Sequence, residues 1–247
     1  MKYCLTENEP GRTLHGGTDT ANEQYWETSV EQENNQVTFG ITLKDGFDGF
    51  PGDVRVLATY RLSDENELFV EYRAESDKDT IFNPTNHVYF NLTGDFQQSV
   101  WEHQIRIAAN RYVPLGEDNL LIGVLEEVIE TPFDFRDFAS ISQGFNSQHT
   151  QNLLVKGYDH PWILEDVATP VEVLSPDGKI KLSVVTNQPS VVIYTYNFPV
   201  EELAAFHGAF SLECQGLPNE CNVDGFGSIL LEQGDCFFSQ TAYRFSW

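Results

Sequence analysis

Residues 54–74 carry the sequence VRVLATYRLSDENELFVEYRA, and the order of apolar and polar side chains in this stretch decides the fold class. Largely apolar positions alternate with mixed ones in residues 54–62, and the alternation returns in residues 67–74. A period of two is that of a β-strand with one buried face, whereas a helix repeats about every 3.6 residues. The turn-forming residues SDEN at 63–66 separate the two runs. The stretch therefore predicts an antiparallel β-hairpin.

A second hairpin is expected further along the chain. Residues 171–174 and 180–184 flank the turn SPDG at 175–178, in which proline presets φ and glycine supplies a positive φ. Further strands are expected over residues 191–196, 227–231 and 237–247. Helix is expected only in short pieces, around residues 138–141 and 200–203.

Many short strands separated by turns, at intervals of roughly 8–12 residues, are typical of an antiparallel sandwich or barrel. Hydrophobic residues make up 40% of the chain, which is enough for a sizeable core. The sequence shows no break in composition, no internal repeat and no low-complexity linker. Residues 1–247 are therefore predicted to form one all-β domain, a large antiparallel β-sandwich with a few short helices.

The chain is strongly acidic, since 14 Lys and Arg residues stand against 38 Asp and Glu residues, for a net charge of −24. A polyanion of this kind repels the phosphates of nucleic acids and the headgroups of anionic lipids. We therefore expect neither a nucleic-acid partner nor a membrane-surface partner. The simplest interpretation of the charge is that it keeps the protein soluble.

The expected location is the cytoplasm. No stretch approaches the ~20 apolar residues that a membrane span needs, and residues 1–7 turn polar too soon to form a signal-peptide core. The cysteines are scattered, which fits a reducing compartment. Neither they nor the histidines show metal-ligand spacing, so no metal is predicted. The cysteines are Cys4, Cys214, Cys221 and Cys236.

The run NHVYFNL at 86–92 is the first candidate for chemistry. If it forms a strand, alternation places His87, Tyr89 and Asn91 on one face and apolar side chains on the other. Polar groups interleaved with aromatic rings suit sugar recognition, because hydroxyls need hydrogen-bond partners and C–H faces pack on rings. By itself His87 is more often a structural histidine.

The run FSLECQ at 210–215 alternates in the same way, so that Ser211, Glu213 and Gln215 share one face. Glu213 alone is best interpreted as a solvated surface charge. It becomes a candidate catalytic group only if its face is the one that carries His87.

Two segments with glycines are further candidates. In residues 156–164, which we expect to form a loop punctuated by Gly157 and Pro161, Asp159 could accept hydrogen bonds from neighbouring sugar hydroxyls or could form an Asx-type turn. Near the start of the chain, the two glycines after His15 let the backbone approach a ligand closely. Phosphate-loop, dinucleotide-binding and nucleophile-elbow motifs are missing from the sequence.

Taken together, these segments resemble the aldose 1-epimerase (galactose mutarotase) family. Each run is weak alone, but the ordered set spans almost the whole chain. The matching runs are LHGG (14–17), GFPG (49–52), NHVYFNL (86–92), GYDH (157–160), NQP (187–189) with Tyr194 and Asn197, and LECQ (212–215).

The resemblance implies a galactose mutarotase-like supersandwich with its site in a cleft on one sheet. It also implies interconversion of the α and β anomers of free aldohexoses, such as galactose or glucose, without cofactor or metal. In the family's scheme, His87 matches the general acid and Glu213 the general base. His15 and Asp159 match residues that hold the sugar, and Tyr89 lies beside His87 on the binding face.

Two departures from the family pattern leave alternatives open. Val192 stands where the family usually has glutamine. The family also carries strands upstream of the LHGG run, with an arginine that reaches the site, so the chain is expected to be N-terminally short.

A catalytically impaired sugar-binding or regulatory module of the same fold is therefore one alternative. A hexose-6-phosphate 1-epimerase is another, although it would need a cationic clamp that suits this acidic chain poorly. The resemblance leaves the oligomeric state open.

Overall fold

The computed structural model describes residues 2–199 and 205–247. The chain divides into two compact units, each built from separate segments. The first unit comprises Met1–Ser63, Leu68–Phe82 and Ile229–Gln240, and the second comprises Asp64–Glu67, Asn83–Ser228 and Thr241–Trp247. That residues 1–247 form one domain stays a prediction.

β-Strands predominate in the described residues, and the helices are short. The α-helices are α1 (Ser142–Phe145) and α2 (Thr150–Val155), and single 3-10 turns occupy Ala21–Glu23, Gln32–Asn34, Phe47–Gly49 and Glu220–Asn222. The strands are β1 (Glu27–Glu31), β2 (Gln36–Leu43), β3 (Val54–Leu62), β4 (Glu67–Ser76), β5 (Thr80–Ile81), β6 (Tyr89–Phe90), β7 (Gln104–Ile107), β8 (Arg111–Tyr112), β9 (Glu126–Glu127), β10 (Ala139–Ser140), β11 (Asp159–Ile163), β12 (Val171–Leu174), β13 (Lys181–Thr186), β14 (Ser190–Tyr194), β15 (Phe210–Gln215), β16 (Leu230–Leu231) and β17 (Cys236–Ser246).

In the first unit, β1, β2, β3 and β4 follow one another as antiparallel neighbours. The hairpin predicted from residues 54–74 is confirmed, because β3 and β4 pair from Leu62 opposite Leu68 to Val54 opposite Ser76. The alternate apolar residues of this hairpin turn inward. Val54, Val56 and Ala74 form a buried cluster with Leu231 of β16.

The second unit contains a six-stranded antiparallel sheet in the order β6-β15-β14-β11-β8-β9. The last residues of β17 pair with β13, in a second sheet that continues through β12 and β7 to β10. Aromatic side chains from the two sheets pack together, with the rings of Phe90 and Tyr243 5.4 Å apart. The Tyr243 hydroxyl donates to the Leu212 carbonyl at 3.4 Å. The predicted sandwich is therefore formed, with the apolar face of the six-stranded sheet against the second sheet.

The predicted strands agree with the structure to within a few residues. β12 has the predicted bounds, and β13, β14 and β17 differ from prediction by one or two residues at their ends. The strand predicted over residues 227–231 is shorter, since only Leu230–Leu231 pairs, with β5.

The helix predicted around residues 138–141 is wrong. Ala139 and Ser140 form β10, which pairs with β7, and α1 begins only at Ser142. Pairing with β7 takes the backbone groups that a helix would use, and the Ser140 hydroxyl donates to the distant Trp101 carbonyl at 2.7 Å. The other predicted helix, over residues 200–203, lies outside the described residues. Among the described residues, no helix is long and apolar enough to cross a membrane.

Candidate active site

A row of polar side chains crosses four strands of the six-stranded sheet. Tyr89 of β6 lies opposite Ser211 of β15, and Ser211 lies opposite Tyr194 of β14. Tyr194 in turn lies opposite Asp159 of β11. Residues directly opposite one another in antiparallel strands point to the same face of the sheet. The register therefore places Tyr89 and Asp159, both predicted site residues, on one face.

The predicted acid and base lie beside this row. Glu213 follows Ser211 by two positions on β15 and shares its face, while His87 precedes Tyr89 by two positions. His87 Nε2 lies 3.2 Å from Glu213 Oε1, and the His87 ring is 5.1 Å from the Tyr89 ring. The condition that the sequence left open is met, since Glu213 and His87 belong to the same face.

Glu213 is a buried carboxylate with a set of partners, so its interpretation as a solvated surface charge is wrong. It is 7% exposed, and β15 is buried along its whole length. Ser211 Oγ donates to Glu213 Oε1 at 2.7 Å, and Gln215 Nε2 donates to Oε2 at 3.5 Å. Removing a carboxylate from water is costly unless hydrogen bonds replace the lost hydration. Val192, where the family usually has glutamine, is opposite Glu213 on β14.

The strand predicted over residues 86–92 is shorter than expected, and Asn91 lies outside the site. Only Tyr89–Phe90 pair with β15. The Asn91 amide nitrogen instead donates to the carbonyls of Asp95, Gln98 and Gly208, at 2.8 to 3.0 Å. These three bonds end the strand, because they hold the chain in a loop directly after Phe90.

Three tyrosines line this face, and two of them were missed as site residues. The ring of Tyr89 lies 6.4 Å from that of Tyr194 and 5.4 Å from that of Tyr196. Burial raises the pKa of Tyr89 and of Tyr194, and neighbouring phenol and carboxylate groups add to both shifts. The two phenols therefore stay protonated and can donate as well as accept hydrogen bonds. The alternation of residues 191–196 already placed Tyr194 and Tyr196 on one side of a strand.

Asp159 begins strand β11, so the loop expected over residues 156–164 is wrong. Side chains that follow the end of β14 hold the backbone before Asp159. Tyr158 N–H donates to Thr195 Oγ1 at 2.9 Å, and Asn197 Nδ2 donates to the Tyr158 carbonyl at 2.8 Å. Gly157 is required here, because a Cβ at this position would lie 2.5 Å from Thr195 Oγ1. These contacts fix the entry into β11 and thereby the position of the Asp159 carboxylate.

His15 belongs to the first unit, where it is exposed on a loop with a φ of 52°. The Asn8 side chain binds the backbone of Leu14, the residue before His15. It accepts from Leu14 N–H at 2.7 Å and donates to the Leu14 carbonyl at 2.8 Å. The loop that carries His15 is therefore anchored, and its predicted contact with a sugar stays a prediction. Within the described residues, no three His, Cys, Asp or Glu side chains lie close enough together to hold a metal ion.

The sequence model of the aldose 1-epimerase family matches residues 1–244. The chain belongs to this family. It is 34% identical to the aldose 1-epimerase of Escherichia coli strain K12 over an alignment of 254 positions, which covers 98% of this chain and 72% of that protein. It is also 34% identical to the galactose mutarotase of Rattus norvegicus over an alignment of 256 positions, which covers 99% of this chain and 72% of that one.

The fold agrees with solved structures of aldose 1-epimerase relatives. The galactose 1-epimerase of Lactobacillus acidophilus NCFM superimposes with a TM-score of 0.89 at 31% identity, covering 99% of this chain and 73% of that one. An aldose epimerase homologue from C. elegans gives the same TM-score at 26% identity, covering 99% of this chain and 75% of that one. The all-β architecture predicted from the sequence is confirmed.

Proposed function

We propose that this aldose 1-epimerase family member interconverts the α and β anomers of free aldohexoses such as galactose and glucose. The observation that carries the proposal is the 3.2 Å separation between His87 Nε2 and Glu213 Oε1. The ring oxygen and the anomeric hydroxyl of a pyranose are bonded to the same carbon. An acid and a base that lie side by side can therefore address both oxygens at once.

In the proposed mechanism, His87 protonates the ring oxygen while Glu213 removes the proton of the anomeric hydroxyl. The bond between C1 and the ring oxygen breaks, and C1 becomes an aldehyde. Rotation about C1–C2 then presents the other face of the aldehyde. On closure the freed hydroxyl attacks C1 and returns its proton to His87, while Glu213 returns its proton to the anomeric oxygen. Both side chains end in their starting states.

Two positioned proton transfers suffice for this chemistry, because each contributes roughly 10²–10⁴-fold to the rate. A covalent intermediate is not required. Asp159 holds the sugar through its hydroxyls, and Tyr89 adds a phenol and a ring face beside His87. Carboxylates and phenols together supply the acceptors and donors that sugar hydroxyls need.

Polarimetry on freshly dissolved α-galactose tests the proposal. The optical rotation should reach its equilibrium value faster in proportion to the concentration of the chain, with Glu213→Gln at the same concentration as the control. The same measurement on galactose 6-phosphate should give a lower kcat/KM, because a dianion suits this acidic protein poorly. Sugar binding without any acceleration would support a sugar-binding module and contradict the proposal.

A further inference from the structure

We propose that Ser211 is a positioning residue for this reaction, whose hydroxyl holds the Glu213 carboxylate oxygen that faces His87. The inference deepens the proposed function and rests on it. Ser211 Oγ donates to Glu213 Oε1 at 2.7 Å, and the same Oε1 lies 3.2 Å from His87 Nε2. The hydroxyl therefore binds the very oxygen that is nearest the proposed acid.

The remaining contact on the Glu213 carboxylate is weaker. Gln215 Nε2 lies 3.5 Å from Oε2, at the long limit for a hydrogen bond. A hydroxyl bond to a carboxylate is among the stronger hydrogen bonds in proteins. Ser211 is thus the neighbour on β15 that restrains the Glu213 side chain most, since both residues project from one face of a paired strand.

Ser211 acts through Glu213 rather than on the sugar. Its side chain is 0% exposed, in the row between Tyr89 and Tyr194. A group that does not touch the substrate contributes little to ground-state binding. Because it orients the base, its loss should lower kcat with little change in KM.

The test compares two buried serines on neighbouring strands. Ser211→Ala should lower kcat by about 10- to 100-fold, the range expected for a hydrogen bond to a charged group, and change KM by less than about threefold. Ser190→Ala is the matched control, because Ser190 is also 0% exposed and its Oγ donates to the Gln215 carbonyl at 2.7 Å. This control removes an equally buried hydroxyl of the same sheet and should keep the parental kcat.

Ser211→Cys keeps the volume of the side chain with a much weaker donor, so it should show the same loss if Ser211→Ala does not fold. A parental kcat in either Ser211 variant would overturn the proposal, as would an equal loss in Ser190→Ala or a change confined to KM.

A second readout does not depend on activity. In the 13C NMR spectrum, the carboxyl resonance of Glu213 is identified by its absence in Glu213→Gln. It should move in Ser211→Ala and stay in place in Ser190→Ala, and an unmoved resonance in Ser211→Ala would overturn the proposal. A parental chain that accelerates no anomer exchange would refute the proposed function, while this resonance would still test the positioning.

Discussion

Asp159 is half-buried at the first position of β11, opposite Tyr194. A carboxylate at this place can accept hydrogen bonds from two sugar hydroxyls. Asp159→Ala should therefore weaken the affinity for the sugar by about 1.5–3 kcal/mol, the usual scale for a hydrogen bond to a charged group. The fold should survive, since the contacts of Tyr158 with Thr195 and Asn197 do not involve the Asp159 carboxylate.

Titration calorimetry with galactose, together with KM, measures this change. Asp159→Asn keeps the shape of the side chain without its charge and should lose less affinity than Asp159→Ala. If Asp159→Ala had an unchanged KM, or did not fold, its carboxylate would have a structural role at the start of β11 instead.

At the residue scale, the sequence could predict the polar faces but not the contact between them. Alternation alone placed His87 beside Tyr89 and Glu213 beside Ser211. That these pairs meet depends on the register between β6 and β15, which brings together residues more than a hundred positions apart. Such a register is set by long-range packing, so the burial of Glu213 was not predictable from its own strand.

The loop before β1 is an element whose shape depends on one buried carboxylate of the first unit. Asp48 is 7% exposed, and it accepts hydrogen bonds from Thr18 N–H at 3.0 Å and Asp19 N–H at 3.1 Å. Its φ of 47° lies in the left-handed region, and Gly17 must lack a Cβ because one would lie 2.5 Å from the Asp48 side chain. The residue therefore joins the LHGG run to the GFPG run.

Asp48→Ala should lower the free energy of unfolding by about 1–3 kcal/mol, because two backbone N–H groups lose a charged acceptor. Asp48→Gly is the matched variant, since it also removes the acceptor but tolerates the positive φ. Hydrogen exchange of the Thr18 and Asp19 amides should become faster in both variants, and unfolding in urea should show the smaller loss for Asp48→Gly. Unchanged exchange at these two amides would show that Asp48 does not hold the loop.

Elements with one buried face were predicted well, and elements fixed by side-chain bonds were not. β3 and β12 have their predicted bounds because their alternation is the direct result of a half-buried strand. The incorrect helix at residues 138–141 and the early end of the strand predicted over residues 86–92 both involve contacts with residues distant in the sequence. In both places a serine hydroxyl or an asparagine amide binds distant backbone carbonyls, and sequence periodicity carries no information about such contacts.

At the scale of the whole molecule, stability should depend on pH through two buried histidines of the second unit. Burial lowers the pKa of His103 to about 4 and that of His160 to about 3, from 6.5. In each ring one nitrogen accepts a backbone N–H, from Leu92 to His103 Nε2 at 3.0 Å and from Asp159 to His160 Nδ1 at 3.1 Å. Protonation would destroy these acceptors.

The sign of the effect follows from proton uptake. Below pH 6.5 the unfolded chain protonates both histidines, while the folded chain does so only near their lowered pKa values. The unfolded state then binds more protons, so the free energy of unfolding falls as the pH falls. Each histidine contributes a slope of roughly 1.4 kcal/mol per pH unit between the two pKa values. Above pH 6.5 the stabilising contribution of the two neutral histidines is fully present.

Urea unfolding between pH 4.5 and 8 measures this slope. His103→Gln cannot gain a proton, so its slope over pH 4.5 to 6 should be about 1.4 kcal/mol per pH unit smaller than that of the parental chain. The comparison uses slopes because the variant also changes packing, which shifts stability at every pH alike. Equal slopes in the two proteins would show that His103 is not held neutral by the fold.

The central claim, that His87 and Glu213 transfer the two protons as a pair, is tested most directly by kcat for galactose mutarotation in a double-mutant cycle. His87→Asn and Glu213→Gln should each lower kcat by at least ~10²-fold, and the double variant should lose little more than the worse single one, because the two groups act as a unit. Glu127→Gln, the same substitution on exposed β9 of the same sheet, should keep the parental kcat. A near-parental kcat in either single variant would contradict the claim.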